Sequence, residues 1–173
     1  LLDLFCCAGG AAVGYYRAGF HDITGVDINP QPRYPYNFVQ ADALAYLEAH
    51  GREYDVIHAS PKCQADTALA RAMTADYFIK HGPSQIPAVR DLLIATGKPY
   101  IIENVPGADL RQPIMLCGAM FGLKVYRHRM FESNIYMLMP PHIPHHDSTP
   151  RSGRGKSPKG FISVNGNGGA PNL

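Results

Sequence analysis

Apolar residues fall in short runs of strand length, and stretches with helical spacing lie between several of them. Leu1 to Phe5 is a largely apolar run that predicts a strand and ends at the small-residue cluster Ala8-Gly9-Gly10. Ala11 to Ala18 is amphipathic and predicts a helix stopped by Gly19. Ile23 to Ile28 predicts a strand that ends in an acid, Asp27. Asn29 to Pro35 holds three prolines and predicts irregular chain. Phe38 to Gln40 predicts a short strand running up to a second acid, Asp42, and Ala43 to Ala49 a helix closed by Gly51. Asp55 to Ala59 predicts a buried strand broken by Ser60-Pro61. Residues 64 to 84 carry little strand pattern, with a short helix possible over Thr67 to Met73. Ile86 to Thr96 predicts a helix stopped by Gly97, and Tyr100 to Ile102 a strand running into Glu103-Asn104. Ile114 to Cys117 and Arg129 to Phe131 predict two further strands.

Strands alternating with helices through short connections imply an α/β fold, with a parallel sheet covered by helices. Ligands of such sheets gather beyond the carboxyl ends of the strands. Asp27, Asp42, Cys63 and Glu103 all fall at or just after predicted strand ends. The pattern therefore puts three acids and a thiol on one rim.

Composition narrows the class. The 173 residues suggest one domain, and a hydrophobic content of 46% is enough for a real core. Charged residues are 17% of the chain, too few and too balanced for a disordered acidic or basic protein. A net charge of +2 argues only weakly for nucleic acid, so any phosphate-binding surface must come from local clustering. No apolar run reaches the roughly 18 residues of a membrane span. The start has no basic region, no cleavage pattern and no initiator Met, and it begins inside a predicted strand, as a fragment would. Cys6, Cys7, Cys63 and Cys117 form no C-x-x-C pair, so a zinc knuckle is not expected, and their apolar surroundings suit reduced thiols in a cytosolic protein.

Each candidate residue has a functional and a plain reading. The small residues between the first strand and helix let a ligand approach the backbone at a helix N-terminus, though many α/β proteins keep such a turn for packing. Asp27 can accept both ribose hydroxyls of a nucleoside cofactor, and Asp42 can accept an adenine amino group. A strand-end Asp is also a common turn or cap residue. Cys63, in Ser60-Pro61-Lys62-Cys63-Gln64, has polar neighbours, and Lys62 adds positive potential suited to a nucleophilic thiol. The alternative is a buried, inert cysteine. Glu103 ends an apolar strand, where a partly desolvated carboxyl can donate, in its protonated form, to a ring nitrogen. It and Asn104 could equally satisfy nearby backbone.

Taken in order, Asp3-Leu4-Phe5-Cys6-Cys7-Ala8-Gly9-Gly10, Gly25-Val26-Asp27, Lys62-Cys63-Gln64, Glu103-Asn104-Val105 and Arg127-His128-Arg129 resemble the motifs of cytosine-5 DNA methyltransferases, most of all the small phage or prophage type. The resemblance spans roughly Leu1 to Glu132. It implies a Rossmann-like S-adenosylmethionine-dependent methyltransferase fold, a mostly parallel sheet with helices on both faces. It also implies a catalytic core over 1–135 and a truncated or rudimentary target-recognition region over 136–173. By the same resemblance Phe5, Ala8, Gly9, Gly10, Asp27, Ile28, Asp42 and Ala43 would hold S-adenosylmethionine. Cys63 would attack carbon 6 of a cytosine flipped out of double-stranded DNA, activating carbon 5 for methylation. Glu103 would hold the ring at N3 and its amino group, and Arg129, supported by Arg127, the ring oxygen. Asn104 joins the catalytic set, and Lys62 and Gln64 lie beside the substrate. Residues 65 to 84 would be the loop that closes over the base. The implied protein is a monomer acting in the cytoplasm of a bacterial or phage-infected cell, with no membrane partner.

Three departures stand out. Lys62 occupies the position where the family has Pro before the catalytic Cys. Cys7 stands where the family has the first Gly of its turn, and a Cβ there costs ~1–2 kcal/mol if the backbone is left-handed. The closing motifs that complete the cofactor pocket are missing after Asn165. His142, His145, His146 and Asp147 are metal-ligand types, but a solvated proline-rich loop accounts for them and no metal is expected. Arg151, Arg154, Lys156 and Lys159 form a basic cluster that suits DNA phosphates or a plain flexible tail.

Overall fold

The structure, a computed structural model, describes residues 1–63, 66, 82–125 and 127–142. Seven strands form one mixed sheet: β1 (Leu2–Leu4), β2 (Thr24–Asp27), β3 (Asn37–Gln40), β4 (Ile57–Ala59), β5 (Tyr100–Asn104), β6 (Ile114–Cys117) and β7 (His128–Ser133). Three α-helices accompany them: α1 (Gly10–Arg17), α2 (Ala43–His50) and α3 (Ile86–Thr96). The strand order is β3-β2-β1-β4-β5-β7-β6. Strands β1 to β5 pair in parallel, while β7 runs antiparallel to β5, with Glu103 opposite Phe131 and Asn104 opposite Met130. The order reverses at β1, between β2 and β4, and such a switch point opens a crevice at the carboxyl ends of the strands.

Period-two alternation sorts the strand residues onto two faces. Leu2, Leu4, Val26, Ile57, Ala59 and Ile102 pack with Ala43 and Leu47 of α2 and Val89 and Leu93 of α3. Leu1, Cys6, Ile23 and Tyr34 pack with Ala12 of α1. Helices therefore cover both faces, as expected. Gly19 and Gly97 end α1 and α3 with φ of 105° and 69°, the left-handed stop that the sequence predicts. Gly51 behaves differently. Its φ is −56° and the chain continues from α2 into a turn of 3-10 helix, Gly51–Glu53. A Cβ there would lie 2.8 Å from both Leu47 Cδ1 and Thr96 Cγ2, so this glycine lets the ends of α2 and α3 approach.

The α1 face carries a buried polar group. Asp3 and His58 are register partners on β1 and β4, and Asp3 Oδ1 lies 3.0 Å from His58 Nδ1. The Tyr34 hydroxyl donates to Asp3 Oδ2 at 3.3 Å. Burial, then the Asp3 charge, pushes the Tyr34 phenol up, so it stays a donor. Gly25 makes room for this ring, since a Cβ there would sit 2.2 Å from Tyr34 Cζ.

A second buried group ties α3 to β7. Arg90 donates from Nε to Glu132 Oε1 at 2.7 Å and from Nη2 to Oε2 at 2.8 Å. Glu132 also accepts the Arg111 amide at 2.7 Å and the Tyr100 hydroxyl at 3.4 Å. Burial alone would push the Glu132 carboxyl up. The hydrogen bonds from Arg90 and the Arg111 amide outweigh it and hold the carboxyl below its ordinary range.

Two compact units share the chain. One comprises Leu1–Ile114 and Met130–Met137, and the other Met115–Arg129 with the residues from Leu138 on.

Candidate active site

The first loop leaves β1 in an unusual conformation. Phe5 and Cys7 have φ of 59° and 45°, both left-handed, and Gly9 follows at 85°. Position 7 thus takes a left-handed backbone, the case in which its Cβ is costly. What stabilises the turn is Asp27 at the end of β2, whose Oδ2 accepts the Cys7 amide at 3.1 Å while Oδ1 accepts the Asn29 amide at 2.9 Å. Cys6 N–H closes the loop from the other side, donating to Val26 O at 3.1 Å. Ala8 and Gly10 are exposed at the start of α1, and Gly9 is buried, its missing Cβ leaving room for Pro35 Cδ at 2.7 Å.

Beside Asp27, Ile28 is 57% exposed, an aliphatic surface at the rim. Asp42 is the N-cap of α2, and its Oδ1 accepts both Leu44 and Ala45 amides at 3.0 Å. The cap reading of Asp42 is thus realised, and its other carboxylate oxygen takes neither of those bonds. Ala43 behind it is buried.

The second cluster leaves β4 and β5. Ala59 and Ile102 are register partners, so Ser60, just past the end of β4, and Glu103, next to last in β5, come side by side. Ser60 is pinned to the first loop, its amide donating to Leu4 O at 3.3 Å and its hydroxyl to Phe5 O at 3.4 Å. Asn104 is buried and donates from Nδ2 to Pro61 O at 3.1 Å, while its Oδ1 accepts the Val105 amide at 2.8 Å. It thereby clamps the turn that presents exposed Lys62 and half-buried Cys63. The Cys63 carbonyl accepts the amide of buried Asp66 at 3.0 Å. Glu103 is half-buried. Gln64 and the helix expected over Thr67 to Met73 lie outside the described residues, as do His145, His146, Asp147 and the basic cluster.

The other thiols at this end are poor nucleophiles. Burial, with Asp3 and Asp27 nearby, pushes the Cys6 thiol up to about 12. Burial and the Asp27 carboxylate also push Cys7 up.

No protein-family model matches the chain, and no curated protein does. Solved structures do. One is described as a DNA modification methyltransferase encoded within a prophage of E. coli, at 23% identity and a TM-score of 0.51, covering 75% of this chain and 44% of that one. Another is the S. pombe Dnmt2 methyltransferase, at 17% identity and a TM-score of 0.53, covering 80% and 50%. The chain has the methyltransferase fold. It spans about half the length of these two structures.

Within the methyltransferase fold, the predicted residues divide between the two units. Phe5, Ala8, Gly9, Gly10, Asp27, Ile28, Asp42, Ala43, Lys62, Cys63, Glu103 and Asn104 belong to the first and lie at or just beyond the carboxyl ends of β1 to β5. Arg127 and Arg129 belong to the second, where Arg129 Nη1 donates to the carbonyl of His128 at 3.0 Å. Sequence reasoning missed the Asn104–Pro61 clamp, the Asp3–His58–Tyr34 group and the Arg90–Glu132 pair. All are side-chain pairings between residues far apart in the chain. A cavity of about 750 Å³ lined by Tyr100, Arg111, Gln112, Phe131, Glu132 and Tyr136 holds none of the predicted residues.

Proposed function

We propose that the chain is an S-adenosylmethionine-dependent DNA cytosine-5 methyltransferase, or the catalytic core of one, with Cys63 as nucleophile and Glu103 as its partner. One observation carries this reading. The Cys63 turn leaves β4 and Glu103 lies at the end of the adjacent parallel β5, where Asn104 fastens β5 to that turn at 3.1 Å through Pro61 O, next to the switch point of the sheet.

The rim fits the cofactor. Asp27 Oδ2 accepts one amide and keeps a second lone pair for a ribose hydroxyl. Exposed Ile28 offers an apolar surface to a base, Asp42 is at hand for an amino group, and Phe5, Ala8, Gly9, Gly10 and Ala43 would line the remainder. When bound, S-adenosylmethionine supplies an electrophilic methyl group.

The chemistry assigned to the chain follows. The Cys63 thiolate adds to carbon 6 of a flipped-out cytosine, forming an S–C bond and pushing electron density onto carbon 5. Glu103 holds a proton at ring N3 and accepts from the exocyclic amine, stabilising that density. Arg129, with Arg127, is assigned to the ring oxygen, and Lys62 with Gln64 to the flanking DNA. After carbon 5 is methylated, loss of its proton to a base expels Cys63 and restores the ring. Residues 136–173 are assigned to a rudimentary target-recognition region, and its basic cluster to DNA phosphates.

The experiment is covalent trapping on double-stranded DNA carrying 5-fluorocytosine, which blocks the final proton loss. The wild-type chain with S-adenosylmethionine is expected to give a denaturant-stable adduct that Cys63→Ser abolishes. An adduct that survives Cys63→Ser refutes the assignment. A second reading, binding without turnover, is favoured by the strained backbone at Cys7 and predicts cofactor binding with no adduct.

A further inference from the structure

Three ligand-type side chains outside the proposed active site meet in the second unit. Cys117 ends β6, His128 begins β7, and His142 lies in the segment after Leu138. Their Sγ and ring-nitrogen atoms all fall within 4.8 Å of one another. The two histidines approach through their Nε2 atoms, 3.1 Å apart, with rings inclined at 66°. Two imidazoles can share that contact only if one Nε2 carries a proton and the other does not. A cation between them removes this restriction. In tetrahedral coordination with nitrogen ligands ~2.0–2.1 Å from the metal, two nitrogens sit roughly 3.3 Å apart, close to the contact seen.

The surroundings of the sulfur fit as well. The Met120 amide points at Cys117 Sγ, a hydrogen bond that strengthens when the sulfur is a metal-bound thiolate. The thiol itself is directed at Val125 O, 3.9 Å away. Coordination would release that proton to solvent, so affinity should rise with pH. Cys117 is buried, which shields a thiolate–metal bond from water.

We propose that Cys117, His128 and His142 bind a divalent transition metal of the zinc class, fixing the end of β6, the start of β7 and the segment after Leu138 to one another. One thiolate and two imidazoles form a borderline-soft donor set that selects zinc over magnesium or calcium, and three protein ligands leave a fourth position for water. The site does not depend on the methyl-transfer reading.

The test uses the full chain, stripped with chelator and titrated with Co(II), then with Zn(II). One equivalent of Co(II) should bind with thiolate-to-cobalt charge-transfer absorption, and Zn(II) should displace it. Cys63→Ser should leave the spectrum unchanged. Cys117→Ser should lose the charge-transfer band. His142→Ala, at a half-buried ring that the fold tolerates more readily, should weaken binding by about tenfold or more, the scale on which even outer-sphere partners count. Absence of the band in the wild-type chain overturns the proposal, as does a band that persists unchanged in both Cys117→Ser and His142→Ala.

Discussion

Replacing Glu132 with Gln changes one atom of a buried side chain and removes its charge. In the native protein Oε1 accepts from Arg90 Nε and Tyr100, while Oε2 accepts from Arg90 Nη2 and the Arg111 amide. All of these partners donate. The Gln amide has one acceptor oxygen and one NH2, so either orientation turns a donor toward two other donors. Arg90, 3% exposed, then loses its ion-pair partner. Breaking one side of a buried ion pair costs about 3–5 kcal/mol. The same range follows from losing charged hydrogen bonds of ~1.5–3 kcal/mol and leaving a buried donor unmet at ~1–3 kcal/mol. That is a large share of the ~5–15 kcal/mol by which a domain is stable.

Urea unfolding followed by far-UV circular dichroism measures it, the chain having ten tyrosines and no tryptophan. A pH series adds a second reading. The Glu132 carboxyl is held below its ordinary value in the folded state, so its contribution is fully present above the unfolded value of about 4.3 and is lost as pH falls through the folded value. The wild-type midpoint should therefore drop, as pH falls below about 4.3, more steeply than that of Glu132→Gln. A loss under about 1 kcal/mol at pH 7, or parallel pH profiles, would refute the reasoning. Arg90→Met with Glu132→Met should recover only part of the loss, because the Tyr100 hydroxyl, the Arg111 amide and the Asp109 carbonyl, another Arg90 partner, lose their hydrogen bonds.

Other substitutions follow from single contacts. Gly25→Ala would bring a Cβ to 2.2 Å from Tyr34 Cζ, displacing the ring from Asp3 at a cost of about 2–3 kcal/mol, read by thermal melting. Cys7→Gly relieves a left-handed residue worth ~1–2 kcal/mol against ~0.5–1 kcal/mol of added backbone entropy, and should raise stability by roughly 0.5–1 kcal/mol in the same urea assay. Asn104→Ala removes the bond to Pro61 O and should cut the yield of 5-fluorocytosine adduct while leaving S-adenosylmethionine affinity, measured by calorimetry, within about twofold.

The elements were legible because each is written locally. All seven strands overlap the runs that the sequence predicts as strands, and Gly19 and Gly97 mark the helix ends as left-handed stops. Gly51 closes α2 as the sequence predicts, but its second reason, close approach to Thr96 of another helix, lies far along the chain and was not legible. The same limit hid Arg90. In the sequence it is one charge on an amphipathic helix, and nothing nearby announces that Glu132 will meet it 42 positions later. Cys117, His128 and His142 were not joined for a related reason: the sequence reads His142 as part of a solvated loop, and the spacing of the three matches no metal motif.

Cys7 shows how a local departure can leave geometry intact. The resemblance has glycine at this position, where the backbone must turn with positive φ. The chain here places a Cβ there and still adopts φ 45°, with Phe5 at 59° beside it. Something must hold two strained residues in place, since each costs about 1–2 kcal/mol. Asp27 does so: its carboxylate receives the Cys7 amide across 3.1 Å from a neighbouring strand, and the Cys6 amide is fixed on Val26 O at 3.1 Å. The same carboxylate is the one assigned to the ribose. Its two tasks compete for lone pairs but not for space, because the amide lies on the loop side and each oxygen accepts more than one bond. The departure at position 7 is therefore offset within the loop, and a turn held by the Asp27 carboxylate and the Val26 carbonyl keeps its bend without glycine.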